Sequence, residues 1–244
     1  MSMRTCFASI LFAGLPLVLA AQTPGPDDSS MLAGQIAGDT YISATGLFRI
    51  VVPVLPELGG NISDTPNVVT FADAFMTHIT IAVVPLDATQ RWELSTGSKK
   101  DYLVKFFSVL PLADFRQKFP GASVESATFL PKLQDGALLV YVLLPGGSMF
   151  NQRIALFGAS DNVPTAKRGN LLFVKGDNIF ILSSELAERA TERSLYTKTT
   201  AQEDEILRER LLDVLGAIRF TGAAAATPAA TPAATPAVAP STGK

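Results

Sequence analysis

Ser148 and His78 are the two side chains of the sequence that could form a hydrolytic site. Ser148 follows two glycines, Gly146 and Gly147, and consecutive glycine amides can form an oxyanion pocket beside a nucleophilic serine. His78 is the only histidine, and one histidine is enough for the base of a Ser-His-Asp triad. The segment is not a GxSxG nucleophile elbow, however, and no helical pattern follows it. Pro-Gly-Gly-Ser between two apolar runs is more typical of a turn.

His78 lies in an apolar run that alternates like a β-strand. Ile79, Ile81 and Val83 share one face of this strand, whereas Thr80 shares the other face with His78. The larger aliphatic side chains mark the face that packs in the core. We therefore expect His78 on the more exposed face, with a structural or solvent-facing role rather than a catalytic one.

Histidine and cysteine are too scarce for most metal and redox chemistry. A histidine-based metal centre needs at least two histidines, and the only thiol is that of Cys6, in the amino-terminal apolar run. The glycine patterns of dinucleotide-binding folds and of P-loops are also missing from the sequence. We expect no cofactor, no metal ion and no disulfide.

An acidic cluster near the carboxyl end could in principle hold a hard cation. Its spacing is helical, and Arg208 and Arg210 are interleaved with it, which predicts a solvated helix face instead. The sequence leaves open whether two carboxylates elsewhere come close enough for glycoside hydrolysis. The residues of the cluster are Glu203, Asp204, Glu205, Glu209 and Asp213.

Aromatic and charged residues bear on what the chain could bind. The 15 Phe outnumber the 4 Tyr and the single Trp, an inventory that indicates core packing rather than a stacking platform. Trp92 is the one candidate for ligand stacking, or for a lid over the edge of the core. Between residues 22 and 222 the 22 acidic residues exceed the 18 basic ones. Because no basic stripe is visible, we expect no nucleic-acid partner.

The two ends differ in composition from the middle. Residues 1–21 contain Arg4 followed by an apolar run of small residues, which predicts a cleaved signal peptide and leaves no membrane span afterwards. Residues 22–39 are predicted to be a flexible leader, and 40–222 a single domain. Residues 223–244 repeat Ala, Thr and Pro, with proline at every fourth position from 228 to 240. They are predicted to form a disordered tail, either a compositional accident or a tether across the envelope.

The middle contains strands, then helices, then more strands. The loop of Lys175, Gly176 and Asp177 favours a hairpin, and Ser98 is a candidate helix cap. Residues 183–194 could be helix or an edge strand. The predicted strands are 41–52 (a hairpin), 68–71, 77–84, 123–130, 137–144, 152–157, 171–174 and 178–182, and the predicted helices are 99–109 and 111–119.

The last predicted element is a helix that ends at Gly222. Thr200 and Glu203 have the spacing of a capping box, and Asp204 can pair with Arg208 at i,i+4. Its apolar face comprises Leu207, Leu211, Val214, Leu215 and Ile218.

The connections between strands are too short for parallel crossovers, so we expect an α+β fold with a mainly antiparallel sheet. Helices should pack on its faces, including the amphipathic helix at the carboxyl end. Two segments, 41–53 with its Gly-Leu-Phe-Arg-Ile run and 211–220 with Leu-Leu-Asp-Val-Leu-Gly-Ala-Ile-Arg-Phe, resemble the first hairpin and last helix of domains related to the photosystem PsbP protein and the Mog-type Ran-binding factor. The resemblance implies a sandwich fold and a binding or assembly role without a reaction.

These observations favour an exported, non-catalytic binding or envelope-assembly protein. Its partner would be an unknown protein or small molecule in the cell envelope, and its location extracytoplasmic, either periplasmic or secreted. The alternative is a secreted hydrolase, either of serine type with Ser148 and His78 or dependent on carboxylates.

Overall fold

The computed structural model describes residues 32–150, 165–192 and 195–221. A 3₁₀ turn lies at Pro56–Leu58. The strands are β1 (Gln35–Ala37), β2 (Thr40–Ile42), β3 (Phe48–Val51), β4 (Asn61–Thr65), β5 (Val68–Ala72), β6 (His78–Pro85), β7 (Ser123–Leu130), β8 (Ala137–Pro145), β9 (Thr165–Lys175), β10 (Asn178–Glu185) and β11 (Arg219–Phe220). The helices are α1 (Ala88–Thr96), α2 (Lys99–Val109), α3 (Pro111–Lys118), α4 (Ala187–Thr191) and α5 (Thr200–Ala217).

The described strands form two antiparallel sheets. A small sheet has the order β1-β2-β3-β11, and a large sheet has the order β4-β5-β6-β10-β9-β8-β7. Every pairing in both sheets is antiparallel, as the short connections predicted. The α+β fold class, with helices packed on the sheet faces, is confirmed.

The central strands of the large sheet, such as β8 and β9, are buried on both faces because they are apolar on both sides. One face packs against the small sheet and α5, through side chains that include Phe173 and Phe180. These two rings stack 5.5 Å apart, and Phe220 of β11 meets both of them edge-on. The opposite face packs against α2 and α3, where Leu103 and Phe107 are buried. The protein therefore has three layers: small sheet with α5, large sheet, and the α1–α3 layer.

Helix α5 approaches the large sheet closely at Gly169. A Cβ atom on Gly169 would lie 2.9 Å from Leu211 Cδ1 and 3.2 Å from Leu207 Cβ, so any larger residue would push the helix outward. The hydroxyl of Tyr141 donates a hydrogen bond of 2.6 Å to the carbonyl of Asp204 and fixes the helix along its axis. The apolar face predicted for this helix is confirmed as its buried face.

The ends of α5 differ from the prediction. The capping box is formed by Thr199 and Gln202, one residue earlier than the predicted pair, because Glu203 is buried and used in ion pairs. The helix ends at Ala217 rather than at Gly222, since the chain then pairs with β3 as the short strand β11. The predicted link from Asp204 to Arg208 is also wrong, because Arg208 pairs with Glu205.

Other elements extend or correct the predictions. The ambiguous segment 183–194 contains both alternatives, the end of β10 and then α4. Strand β1 lies within residues 22–39, which composition predicted to be flexible. Neither β4 nor α1 was predicted. The expected strand 152–157, the signal peptide and the carboxyl-terminal tail lie outside the described residues. Within the described part of the chain, no helix is long and apolar enough to cross a membrane.

Replacing Leu211 by Ala should lower the free energy of unfolding by about 2–5 kcal/mol, because it removes a fully buried side chain next to a sheet that cannot move to fill the space. Urea denaturation measures the change. Glu209→Ala, on the exposed side of the same helix, is the control and should change stability by less than about 0.5 kcal/mol. Equal effects of the two substitutions would contradict the packing described for α5.

Candidate functional site

Ser148 lies in a turn after β8, as predicted, and its hydroxyl is committed to structure. The Ser148 Oγ donates a hydrogen bond of 2.6 Å to Glu185 Oε1 and accepts one of 3.1 Å from the Phe150 amide. The Met149 amide donates to the same Glu185 carboxylate at 3.0 Å. Ser148 is only 4% exposed. These contacts tie the turn to β10.

Arg168 provides the countercharge for Glu185. Its guanidinium lies 3.3 Å from Glu185 Oε2 and 3.4 Å from the carbonyl of Gly147, and it stacks over the ring of Phe115. The carboxylate of Glu185 is fully buried. Ser148 and the Met149 amide supply the additional hydrogen bonds that a buried ion pair needs. The Ser148–Glu185–Arg168 cluster is therefore a structural clamp.

His78 is buried, which contradicts the prediction that it lies on an exposed face. It is 8% exposed and pairs with Ala72 of β5 in the register of the large sheet. The prediction was wrong because it assumed that only one face of β6 is covered. Burial and, to a smaller extent, the positive charge of Arg168 lower the pKa of His78 from about 6.5 to about 4. The imidazole is thus neutral at neutral pH and has little basicity for catalysis.

The pairing of Ser148 with His78 that the hydrolase alternative requires is not present in this structure. The proton of the Ser148 hydroxyl is directed to Glu185 rather than to His78. A nucleophilic serine needs its hydroxyl hydrogen-bonded to the base and exposed to substrate, and Ser148 meets neither condition.

A second buried cluster, on the opposite face of β9, surrounds Lys167. Its ammonium lies 2.5 Å from Glu125 Oε2, 2.6 Å from Asp204 Oδ1 and 3.1 Å from Glu203 Oε2, and the side chain has no exposed surface. Burial opposes the charged form, but the hydrogen bonds to Asp204, Glu125 and Glu203 outweigh it and raise the pKa of Lys167 above its ordinary value. Lys167 stays charged and fastens α5 and β7 to β9.

Glu203 also binds α4 and the segment before α5. The Arg189 guanidinium donates to both of its oxygens at 3.0 Å, and the Tyr196 hydroxyl donates at 2.5 Å. The helical spacing of Glu203 predicted a solvated helix face. This prediction is wrong, because Glu203 is buried and forms these ion pairs. Among the residues that the structure describes, no group of three or more His, Cys, Asp or Glu is placed to hold a metal ion.

Trp92 lies on α1 and is 65% exposed. Helix α1 buries none of its residues, so the indole does not cover the edge of the core. The ring remains available for stacking. It belongs to the α1–α3 layer, on the other side of the large sheet from α5.

A groove lies between α5 and the ends of β3 and β6, and no sequence pattern predicted it. Its volume is about 360 Å³, within the range of small-molecule and side-chain pockets. The walls are mostly apolar, and the polar lining residues are Thr77 before β6, Ser184 of β10, and Arg210 and Asp213 of α5. The lining comprises Ile50, Pro53, Met76, Thr77, Ile79, Ser184, Arg210, Asp213, Val214 and Ala217.

The two loops that contribute Pro53, Met76 and Thr77 to the groove also carry exposed apolar side chains. Phe75 and Met76 are exposed on the loop between β5 and β6, and Leu55 and Leu58 are exposed on the loop after β3. The two loops are joined where the amide of Ala74 donates to the carbonyl of Leu58. We call these four side chains the rim; exposed apolar patches of this kind are typical of interaction surfaces.

The loop that carries Phe75 and Met76 is held in shape by Asp73. Its Oδ1 accepts hydrogen bonds from the amides of Phe75, Met76 and Thr77 at 2.8, 2.8 and 3.0 Å. Burial opposes ionisation, but these bonds outweigh it and lower the pKa of Asp73. The part of the rim that carries Phe75 and Met76 is therefore preorganised at neutral pH.

Helix α5 contributes the two charged residues of the lining, Arg210 and Asp213. Arg210 extends across to α4, where its guanidinium pairs with Glu188 at 2.5 Å. This ion pair fixes the position of the Arg210 side chain in the wall of the groove. Asp213, one helical turn further along, is exposed to solvent. The groove can accept an apolar group whose polar end points to α5.

Comparison with protein-family models and with curated proteins finds no match to this sequence. Comparison of structures finds a likeness to the cyanobacterial PsbP protein (CyanoP) of Synechocystis, with 13% identity, a TM-score of 0.44, and coverage of 77% of this chain and 98% of that one. The Ran-binding protein Mog1p of Saccharomyces cerevisiae is similar at 12% identity and a TM-score of 0.43, with coverage of 76% and 96%. The resemblance to PsbP and Mog domains is confirmed as a weak likeness of fold.

The buried state of His78 predicts acid-sensitive stability. The unfolded chain takes up a proton near pH 6.5 and the folded chain only near pH 4, so the unfolded state binds more protons between these values. The stabilisation that comes from keeping His78 neutral is present above pH 6.5 and is lost as the pH falls towards 4. The free energy of unfolding should therefore decrease by about 2–3 kcal/mol between pH 7 and 4.5. Urea unfolding should show this extra loss relative to the non-titrating variant His78→Gln. Identical pH profiles for the two proteins, or an NMR pKa near 6.5 for this single histidine, would contradict the burial of His78.

Proposed function

We propose that this chain is a non-catalytic binding protein that holds an apolar segment of a partner protein in the groove beside α5. The observation that carries the proposal is the groove itself, an apolar concavity with a fixed rim of exposed Phe75, Met76, Leu55 and Leu58. Contact between a surface of this composition and water is unfavourable, so covering the surface with a partner lowers the free energy.

A protein segment fits the groove better than an isolated small molecule. Interface cores are enriched in aromatic residues, Met and Arg, and the rim and walls supply Phe75, Met76 and Arg210. The rim extends the apolar surface beyond the groove, so that an apolar anchor can enter while its neighbours rest on the exposed loops. Because Asp73 preorganises one of these loops, binding would lose little entropy in ordering it.

The hydrolase alternative has no comparable support. Its serine donates to Glu185, its histidine is a weak base, and the carboxylates of Glu125, Glu203 and Asp204 share Lys167. The serine and these carboxylates are used in clamps that hold the layers together.

We also propose that the protein acts outside the cytoplasm, in the periplasm or as a secreted protein, with the partner in the cell envelope. The support is the signal-like composition of residues 1–21, and the proline-rich tail would then act as a spacer. Amino-terminal sequencing of the mature protein should begin near Ala21 or Gln22. A product that keeps Met1 and stays with the membrane fraction would count against export.

The binding proposal is tested with peptides selected from a random display library on the purified protein. We expect the selected peptides to share a large apolar residue, and a fluorescein-labelled example to bind Met76→Glu at least about tenfold more weakly than the parent, because a charge then borders the groove. Fluorescence polarisation gives the affinities, and melting temperatures confirm folding.

The matched control is Val109→Glu, which places the same charge on an exposed apolar residue of α2 on the other side of the large sheet. Met76 is 47% exposed and Val109 61%. The control should bind as the parent does. Equal loss in both variants, no loss in Met76→Glu, or a library that yields no binding peptide would refute the proposed function.

A further inference from the structure

The groove continues into a second concavity on the outer face of the small sheet. This concavity has a volume of about 490 Å³, and it shares Ile50 and Ala217 with the first. Its floor is formed by the outward side chains of β2, β3 and β11. The lining comprises Ala37, Thr40, Ile42, Arg49, Ile50, Val51, Ala217 and Arg219.

Two arginines occupy directly opposite positions in this floor. Arg49 of β3 and Arg219 of β11 are register partners. Strand alternation turns both outward, because their neighbours Phe48, Ile50 and Phe220 face the core. Arg219 donates a hydrogen bond of 3.0 Å to the carbonyl of Gly216 at the end of α5, which holds its guanidinium over the concavity.

Within the described residues, this pair has no carboxylate as a countercharge. Across the described ranges, neither Arg49 nor Arg219 forms an ion pair with a carboxylate, whereas four other arginines each do. Arg91 and Arg116 also have no carboxylate partner there, but they donate to backbone carbonyls and do not lie opposite another cation in a sheet. Like charges directly opposite each other on a sheet are destabilising. A guanidinium pair of this kind is suited to bind a carboxylate through its fixed forks of N–H groups. The four paired arginines are Arg168, Arg189, Arg208 and Arg210.

We propose that the segment held in the groove is acidic as well as apolar, with an Asp or Glu side chain that binds between Arg49 and Arg219. This inference rests on the proposed function, and it adds the chemistry of the partner. The shared wall at Ile50 and Ala217 lets one extended segment place an apolar side chain in the first concavity and a carboxylate in the second.

A peptide carboxylate suits the site better than a membrane surface or a free anion. Recognition of anionic lipid needs clusters of about four to eight basic residues, and this site has two on a chain whose formal net charge is −2. A free anion at two exposed arginines would gain little in water. A carboxylate on an anchored segment is supplied at high effective concentration.

The display selection described above also tests this inference. Peptides selected on the parent should contain Asp or Glu within a few residues of the apolar anchor. The double variant Arg49→Gln/Arg219→Gln should bind them about tenfold or more weakly, the loss expected for charge-assisted hydrogen bonds. Selection on Arg49→Glu/Arg219→Glu should replace acidic residues by basic ones. Because Arg49→Gln/Arg219→Gln removes a repulsion between opposite positions, its melting temperature should equal or exceed that of the parent.

The matched control is Arg91→Gln/Arg116→Gln, which removes the same charge from exposed arginines of the α1–α3 layer and should leave affinity unchanged. Apolar peptides without an acidic preference, bound equally by the double variant and still sensitive to Met76→Glu, would overturn this inference and leave the proposed function standing. A parent that selects no peptide would overturn both. Flotation with phosphatidylglycerol vesicles that depends on Arg49 and Arg219, without acidic peptides, would overturn the peptide assignment in favour of lipid.

Discussion

The packing of α5 across the large sheet is the constraint on which the rest of the structure depends. Gly169 lets the helix approach the sheet so closely that the side chains of Leu207 and Leu211 are almost completely buried. Lys167 then joins carboxylates of the helix and of β7 in the interior. The end of α5 leads directly into β11, which completes the small sheet and places Phe220 against the central rings. The same helix forms one wall of the groove, so that fold and proposed binding surface have a common origin.

The reactive side chains of this chain serve its architecture. Ser148, Glu185 and Arg168 fasten the turn after β8, and Lys167 and Glu203 fasten the last helix. Buried ion pairs are demanding, because removing one partner leaves an uncompensated charge. These ion pairs also determine which strands and helices are neighbours. Apolar packing alone is less specific in this respect. The exposed surface beside α5 is consequently left to apolar side chains and to two arginines without an acidic partner in the described structure.

Much of the fold could be predicted from local patterns, because alternation and helical spacing record which face of an element is buried. Strands such as β6 and β8, and the apolar face of α5, follow directly from such patterns. Helix α1 could not be predicted in this way, since it buries none of its residues, and β11 has only two residues. The burial of Glu203 and His78 depends on neighbours far away in the chain. The groove is likewise non-local, because β3, β6 and α5 each contribute a part of it.

The central claim is that the surface beside α5 is where this protein binds its partner. The most direct measurement is the change in backbone amide NMR signals of the ¹⁵N-labelled protein when a selected peptide is added. The account predicts that the shifted signals lie in residues 49–55, 73–79 and 210–219, which surround the two concavities. Shifts concentrated around Trp92 and α2, with the surface beside α5 unchanged, would contradict it.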